Sequence, residues 1–346
     1  MNLIIHIGNF LSRFFRKAEA GKALIEVDAG TGRITWEHVV WAYRILLDRE
    51  PESKAAIWGK LDAWRTTKEL RADFITSPEF RLNNPKVFPY SYERNIVIKE
   101  LDGQLRLFVD LSDLVIGLII LRGCYEQSEI SFVRQVVKPG QTVLDIGANI
   151  GFFAINMASL VGPSGRVYAF EPFDQNSDLL ERSIAENRFG NTMILERAAV
   201  GQSSGSATLV FQELERGAQN SGGAYLFREG MEIPDELEMR KIRMVALDDY
   251  ISRRPVSFIK IDIEGAEPLA FRGAEKLLEA DRPVILSEIN PSALNNVSGC
   301  TPAQFIAETR ARGYDCHILE GGRAAGKIVD LEGHIVASVV FLPRAD

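Results

Sequence analysis

The stretch FIKIDIEGAEPLAF, residues 258–271, sets Lys260, Asp262 and Glu264 at every second position of a run that is otherwise apolar. A charge in a buried strand costs on the order of several kcal/mol unless it is paired or used. Alternation by two puts all three side chains on one side of the strand end. A little further on, the apolar run RPVILSEIN closes with Glu288 and Asn290. Lys260, Asp262, Glu264 and Glu288 are therefore candidates for taking a proton or holding a substrate, with Glu264 and Asn290 also facing the acceptor side; residue type alone does not rank them. The reading adopted is a site without a metal, and Asp262, Glu288 and Asn290 are the set whose oxygens would suit magnesium if one bound.

A second constellation precedes it. VLDIGANIGFF places Asp145, Gly147, Asn149 and Gly151 where an apolar strand hands over to a helical pattern, and small residues there let a ligand approach the backbone. The following strand ends in Glu171, 20 residues after Gly151, the spacing at which a carboxylate meets the ribose hydroxyls of a nucleoside. The dinucleotide fingerprint needs a middle glycine for close approach to a pyrophosphate. Ala148 and Asn149 stand there instead. S-adenosylmethionine has no phosphate, and Asp145 and Asn149 are available to its methionine end. That substitution argues against NAD and for S-adenosylmethionine.

Strands and helices alternate from Thr142 onward, which implies a parallel sheet covered on both faces. The last two strands, YDCHILE and HIVASVVFLPR, have no helix between them and should pair antiparallel. The expected architecture is α/β, a Rossmann-like seven-stranded sheet of the class I methyltransferase kind with its last strand antiparallel, carrying a small all-α module at its amino-terminal side. Four segments follow from the pattern: an amphipathic stretch over 1–34, a helical module over 35–84, a linker and β-hairpin over 85–122, and the catalytic domain over 123–346. All four tryptophans, Trp36, Trp41, Trp58 and Trp64, fall in the helical module and are expected to form its core. Asp102-Gly103 marks the hairpin turn.

Composition bounds the partners. With 40 Lys and Arg against 47 Asp and Glu, the net charge of −7 offers no basic stripe, so nucleic acid is not expected. Cys124, Cys300 and Cys316 lie far apart without metal-ligand spacing and are expected to be reduced thiols in a cytoplasmic setting. Residues 3–17 form one apolar helical face ending in Arg13, Arg16 and Lys17, too short to span a bilayer and without the pattern of a signal peptide, and could touch a membrane surface. His317 and His334 fall in the closing strands as packing residues, and His6 and His38 lie outside the domain.

VLDIGANIG, AFEP, ALDDY, FIKIDIEGAEPLAFRGAEKLL and RPVILSEIN, in that order, resemble the FkbM family of S-adenosylmethionine-dependent methyltransferases over residues 123–342. The resemblance implies O-methylation of a hydroxyl on a sugar, glycan or secondary metabolite. It also implies that Asp145, Gly147, Asn149, Gly151 and Asp262 bind the cofactor, with Glu171 and Pro172 at its ribose and Ala198 and Ala199 beside its adenine. GCYEQSE resembles the family's segment before the first strand, which gives Tyr125 and Glu126 to the methionine end. Asn220, Gly222 and Gly223 resemble a family motif near the acceptor, within a stretch expected to overhang the crevice as a lid. The helical module itself resembles, over about 45 residues, a module that recurs beside glycan-modifying and cell-surface proteins. The alternatives on the same scaffold are an N-methyltransferase, an NAD-dependent oxidoreductase and a binding protein that has lost catalysis.

Overall fold

A computed structural model describes residues 34–47, 49–77, 79–80, 96–110, 120, 125–213, 219–234, 237–328, 331 and 336–344. The amphipathic stretch, most of the linker, Cys124, His6 and His334 lie outside these residues. Among the described residues no helix is long and apolar enough to cross a membrane. The chain divides into two units, 1–92 and 93–346.

In the first unit, helices Trp36–Leu47, Lys54–Ala63 and Thr67–Thr76 follow the apolar spacing of the sequence. Ser53 caps the second helix through Ala56 N, and Thr66 with Glu69 forms a capping box on the third. The core is carried by Val39, Tyr43, Leu47, Ile57, Leu70 and Phe74, with the Tyr43 and Phe74 rings edge to face at 4.8 Å. The tryptophans divide: Trp36 and Trp64 pack against that core partly buried, whereas Trp41 and Trp58 are 45% and 57% exposed. A helix this short has too narrow a buried stripe for every aromatic it carries.

The second unit opens with strands β1 (Ile96–Glu100) and β2 (Arg106–Asp110), an antiparallel pair. Their turn is a 3-10 segment over Asp102–Gln104, not a two-residue turn. Leu107 and Val109 are fully buried in the same cluster as the main sheet, and Arg106 N and Phe108 N donate to Asn187 and Ser183. The hairpin is thus part of the second unit, beyond the linker to which the sequence pattern assigned it.

The principal sheet is built from β3 (Thr142–Ile146), β4 (Arg166–Phe170), β5 (Met193–Glu196), β10 (Val256–Ile261), β11 (Val284–Ile289), β12 (Tyr314–Glu320), β13 (Arg323–Ile328) and β14 (Ala337–Pro343). Its order is β5-β4-β3-β10-β11-β14-β12-β13. Parallel pairing runs from β5 to β11, and β14, β12 and β13 pair antiparallel. The sheet has eight strands rather than seven, because β13 pairs along the outer edge of β12. Val143, Leu144, Phe258 and Ile259 are buried from both sides, as parallel strands between helix layers must be. The chain leaves β3 toward β4 on one side and returns to β10 on the other, which opens a crevice at the carboxyl ends of β3 and β10.

A second sheet fills the interval between β5 and β10. Its strands β6 (Ala199–Val200), β7 (Gly205–Glu213), β8 (Gln219–Leu226) and β9 (Leu237–Val245) lie in the order β6-β9-β7-β8. The expected lid is therefore a hydrogen-bonded strand. Leu209, Phe211, Leu226 and Ile242 bind this sheet to Phe173, Ala266 and Val297 in a core of their own.

Candidate active site

The glycine loop after β3 is held entirely by its own chain. Gly147 N and Ala148 N both donate to Phe170 O, Asn149 N to Glu171 Oε2 at 2.8 Å, Ile150 N to Asn149 Oδ1, and Gly151 N to Ala148 O. Gly147, Asn149 and Gly151 all adopt positive φ, at 79°, 50° and 97°. A Cβ on Gly147 would be driven into the carbonyl oxygen of Asp262, so this glycine lets two strand ends close on each other. All five amides of the loop, from Gly147 to Gly151, are bonded within the chain.

Glu171 faces the loop from the end of β4. Buried to 6% exposure, it accepts from Asn149 N and, through Oε1, from Phe173 N at 2.9 Å. Burial pushes its pKa up to about 7 against the pull of those two amides. A cleft runs from Glu171 and Pro172 past Ala198 and Ala199 on one side and to Lys260 and Asp262 on the other. Tyr125 also lines it, edge to face with Phe152 at 5.0 Å, and burial raises its phenol well above the ordinary value. Leu209, Tyr225 and Leu226 join the wall from the second sheet; the last two fall in the stretch expected to overhang the crevice, whereas Leu209 carries no signal in the sequence. Only the strand pairing of β7 with β8 brings them to the crevice.

At the end of β10 the charges gather. Lys260 pairs in register with Asp145 of β3, and Asp262 N donates to Ile146 O. The Lys260 ammonium lies 3.3 Å from Asp262 Oδ2 and 5.0 Å above the Phe153 ring. Burial alone would lower its pKa, but Asp262, Glu126 and Asp145 hold it well above the ordinary lysine range. Asp145 is fully buried, and neither of its oxygens has a hydrogen-bond partner among the described residues. Burial raises it to about 6, opposed by Lys260. Glu126 does not line the cleft but presents its charge to Lys260 and Asp262, and burial takes it to about 7.

Strand alternation does not deliver Glu264, because β10 ends at Ile261. The chain turns there, and Glu264 sits at φ 51° with Gly265 at φ 95°. A Cβ on Gly265 would strike the Ala293 carbonyl, so the turn is also wedged against the helix Pro291–Val297. Oxygens of Asp262, Glu264 and Glu288 come within 4.8 Å of one another. Asn290 Oδ1 accepts from Ala293 N as a helix cap. Burial lifts Glu264 to about 7 and Glu288 to about 8, with the charge of Asp262 adding to both. Glu267, which the sequence pattern did not single out, is 2% exposed, accepts from Ile263 N, leaves Oε2 without a partner, and is pushed by burial to about 8. Its signal was an acidic residue at a helix start.

Of the three acceptor-side residues inferred from the strand β8, Gly223 is exposed and lines neither this cleft nor the cavity beside it. The side chains of 212–222, Asn220 and Gly222 among them, lie outside the described residues. The contacts begin one residue later, at Ala224.

The methyltransferase FkbM domain family matches residues 145–316. The chain is 27% identical over 201 residues to 31-O-demethyl-FK506 methyltransferase FkbM of Streptomyces tacrolimicus, covering 51% of this chain and 74% of that one. It is 25% identical over 180 residues to methyltransferase sdnD of Sordaria araneosa, covering 44% and 68%. Among solved structures, methyltransferase FkbM from Methylobacillus flagellatus KT aligns at a TM-score of 0.36 and 16% identity, over 67% of this chain and 53% of that one.

Proposed function

Residues 145–316 belong to the methyltransferase FkbM domain family and the chain is a methyltransferase; from that premise we propose that it carries a methyl group from S-adenosylmethionine to a hydroxyl oxygen of a sugar, glycan or secondary metabolite. The observation that carries the choice of cofactor is the closed glycine loop. A pyrophosphate needs backbone N–H groups that point at it. Here all five loop amides are bonded within the protein, while Glu171 still has lone pairs to accept from a ribose diol. That pattern supports a nucleoside without phosphates.

The rest of the cleft fits the same molecule. Ala198, Ala199, Leu209 and Leu226 offer an apolar wall to an adenine, and the far end mixes Asp262 with Lys260, a charge pattern suited to an amino-acid zwitterion. The bound cofactor supplies a methyl carbon on a positively charged sulfur, ready for in-line displacement. The protein's part is to hold the acceptor oxygen in line, exclude water and accept the hydroxyl proton. Half-buried carboxyl groups, Glu264 and Glu288, raised to about 7 and about 8, supply proton acceptors beside the cleft. Two buried free thiols, Cys300 and Cys316, support a reducing, cytoplasmic setting.

Calorimetric titration with S-adenosylmethionine, S-adenosylhomocysteine and NAD tests the reading. The first two should bind, and Glu171→Gln should weaken both by roughly 10- to 100-fold, the loss of one charged acceptor. Binding of NAD alone, or of none of the three, would return the chain to the oxidoreductase or the inactive scaffold.

A further inference from the structure

Beside the cofactor cleft lies a second, open cavity between the end of β8, the loop that follows it and the helix Pro291–Val297. Two residues line both spaces, Tyr225 and Glu264. Of these only Glu264 is a carboxylate. Glu288 lines neither, Lys260 and Asp262 line only the cofactor cleft, and Lys260 keeps its proton. We propose that the acceptor occupies this second cavity as a saccharide ring and that Glu264 is the base that takes its hydroxyl proton at the junction of the two spaces.

The geometry holds Glu264 there from both sides. Gly147 lets the carbonyl of Asp262 close on the glycine loop, and Gly265 lets the same turn close on Ala293, so the residue between them has little freedom to leave. Its left-handed backbone, uncommon for glutamate, is of the kind retained where surrounding structure over-determines it. The cavity walls set hydrogen-bonding side chains beside the apolar Met231, Ala293 and Val297. Asn290, Ser292 and Asn296 come from the helix, and Arg228 from the loop. Asn290 spends its oxygen on the helix cap, which leaves its amide nitrogen as a donor. Amides and hydroxyls in such numbers pair with a ring bearing several hydroxyls. Burial, with the charges of Asp262 and Glu267 added, also leaves Glu264 able to gain or lose a proton near neutral pH.

In the step itself, the acceptor oxygen forms its bond to the methyl carbon while the carbon–sulfur bond breaks, and the electron pair of that bond stays on sulfur. The hydroxyl proton passes to the Glu264 carboxylate and then to solvent. A methyl ether and S-adenosylhomocysteine leave.

This rests on the cofactor reading above, and the test separates the two. The full chain is assayed for transfer of a tritiated methyl group from S-adenosylmethionine to methyl glucoside, methyl mannoside and methyl rhamnoside, with S-adenosylhomocysteine binding measured in parallel. At least one glycoside should be methylated. Glu264→Gln should lower kcat on the order of 10²- to 10⁴-fold and remove the acidic limb of the pH profile. Its S-adenosylhomocysteine affinity should stay within about threefold of the parent, and Glu264→Asp should recover part of the rate. Asn296→Trp, which fills the second cavity, should raise KM for the glycoside by about tenfold or more at unchanged S-adenosylhomocysteine affinity. Three results overturn the proposal: a Gln variant with its kcat and pH profile intact, a Gln variant that loses S-adenosylhomocysteine, or a parent that binds S-adenosylhomocysteine yet methylates none of the glycosides. A parent that fails to bind S-adenosylhomocysteine overturns the cofactor reading, and this one with it.

Discussion

The glycine loop after β3 and the acidic turn after β10 end neighbouring strands and touch through Gly147 and the Asp262 carbonyl, yet they are finished in opposite ways. In the loop every amide from Gly147 to Gly151 has a partner. Around the turn, Glu126, Asp145, Glu264, Glu267 and Glu288 are all raised by burial, and Lys260 faces each of them except Glu267. Asp145 and one oxygen of Glu267 have no hydrogen-bond partner among the described residues. A satisfied loop is rigid and selects a ligand by shape. An under-neutralised turn stores an affinity for protons and positive charge, which is what a site for proton transfer and a sulfonium donor needs.

If the loop is a closed structural unit, breaking its contact with the turn should cost most. Gly147→Ala combines a positive φ with a clash against backbone that cannot swing aside. The expected loss is above about 4 kcal/mol in urea unfolding, enough to leave little folded protein. A loss below about 1 kcal/mol would mean that the two strand ends are not in contact.

The next test removes the cation from the turn. Lys260→Met should destabilise by about 3–5 kcal/mol at pH 8, because it leaves the buried Asp145 and the half-buried Asp262 and Glu126 without a counter-charge. At pH 5.5 the penalty should shrink, as Asp145 and Glu126 take up protons near about 6 and about 7. Equal penalties at both pH values would show that Lys260 acts through packing on Phe153 instead.

The smallest effect sharpens the contrast through pH alone. Asp145, Glu171 and Glu267 have native pKa values of about 6, about 7 and about 8, above those of free carboxyls. The folded chain therefore binds these protons more tightly than the unfolded chain does. That contribution is complete below the unfolded values near 4 and is lost as pH rises through 6 to 8. Thermal scans should show Tm falling from pH 5.5 to pH 8.5, and falling less in Glu267→Gln, whose remaining oxygen can still accept from Ile263 N. A flat profile would mean that water reaches these groups.

The same contrast separates what could be read from sequence from what could not. Glu171 and the glycine loop were legible because a strand-loop-helix unit places its residues by local spacing, whereas Ala198 and Ala199 were named through the family resemblance. Lys260 and Asp262 were legible because charges in an apolar strand are conspicuous. Glu264 was named for the wrong reason: alternation fails once β10 ends at Ile261, and a left-handed turn brings the side chain round. The wall built by Leu209, Tyr225 and Leu226 depends on β7 pairing with β8 and β9, long-range contacts without a local mark. The strand β13 was missed because RAAGKI lacks an apolar alternation and is held by its pairing with β12. Trp41 and Trp58 were misplaced because an aromatic residue at helical spacing does not say which stripe of a short helix is buried.

The wedging of one turn between two glycines has a consequence for how such proteins diversify. The carboxylate proposed as the base belongs to a clamped backbone, whereas Arg228 and Met231 line the neighbouring cavity from a loop that takes no part in the clamp. Substitutions there can accumulate without disturbing the reaction geometry. Acceptor scope and chemistry are inherited separately, and a library confined to those cavity walls is the natural route to retargeting the transfer.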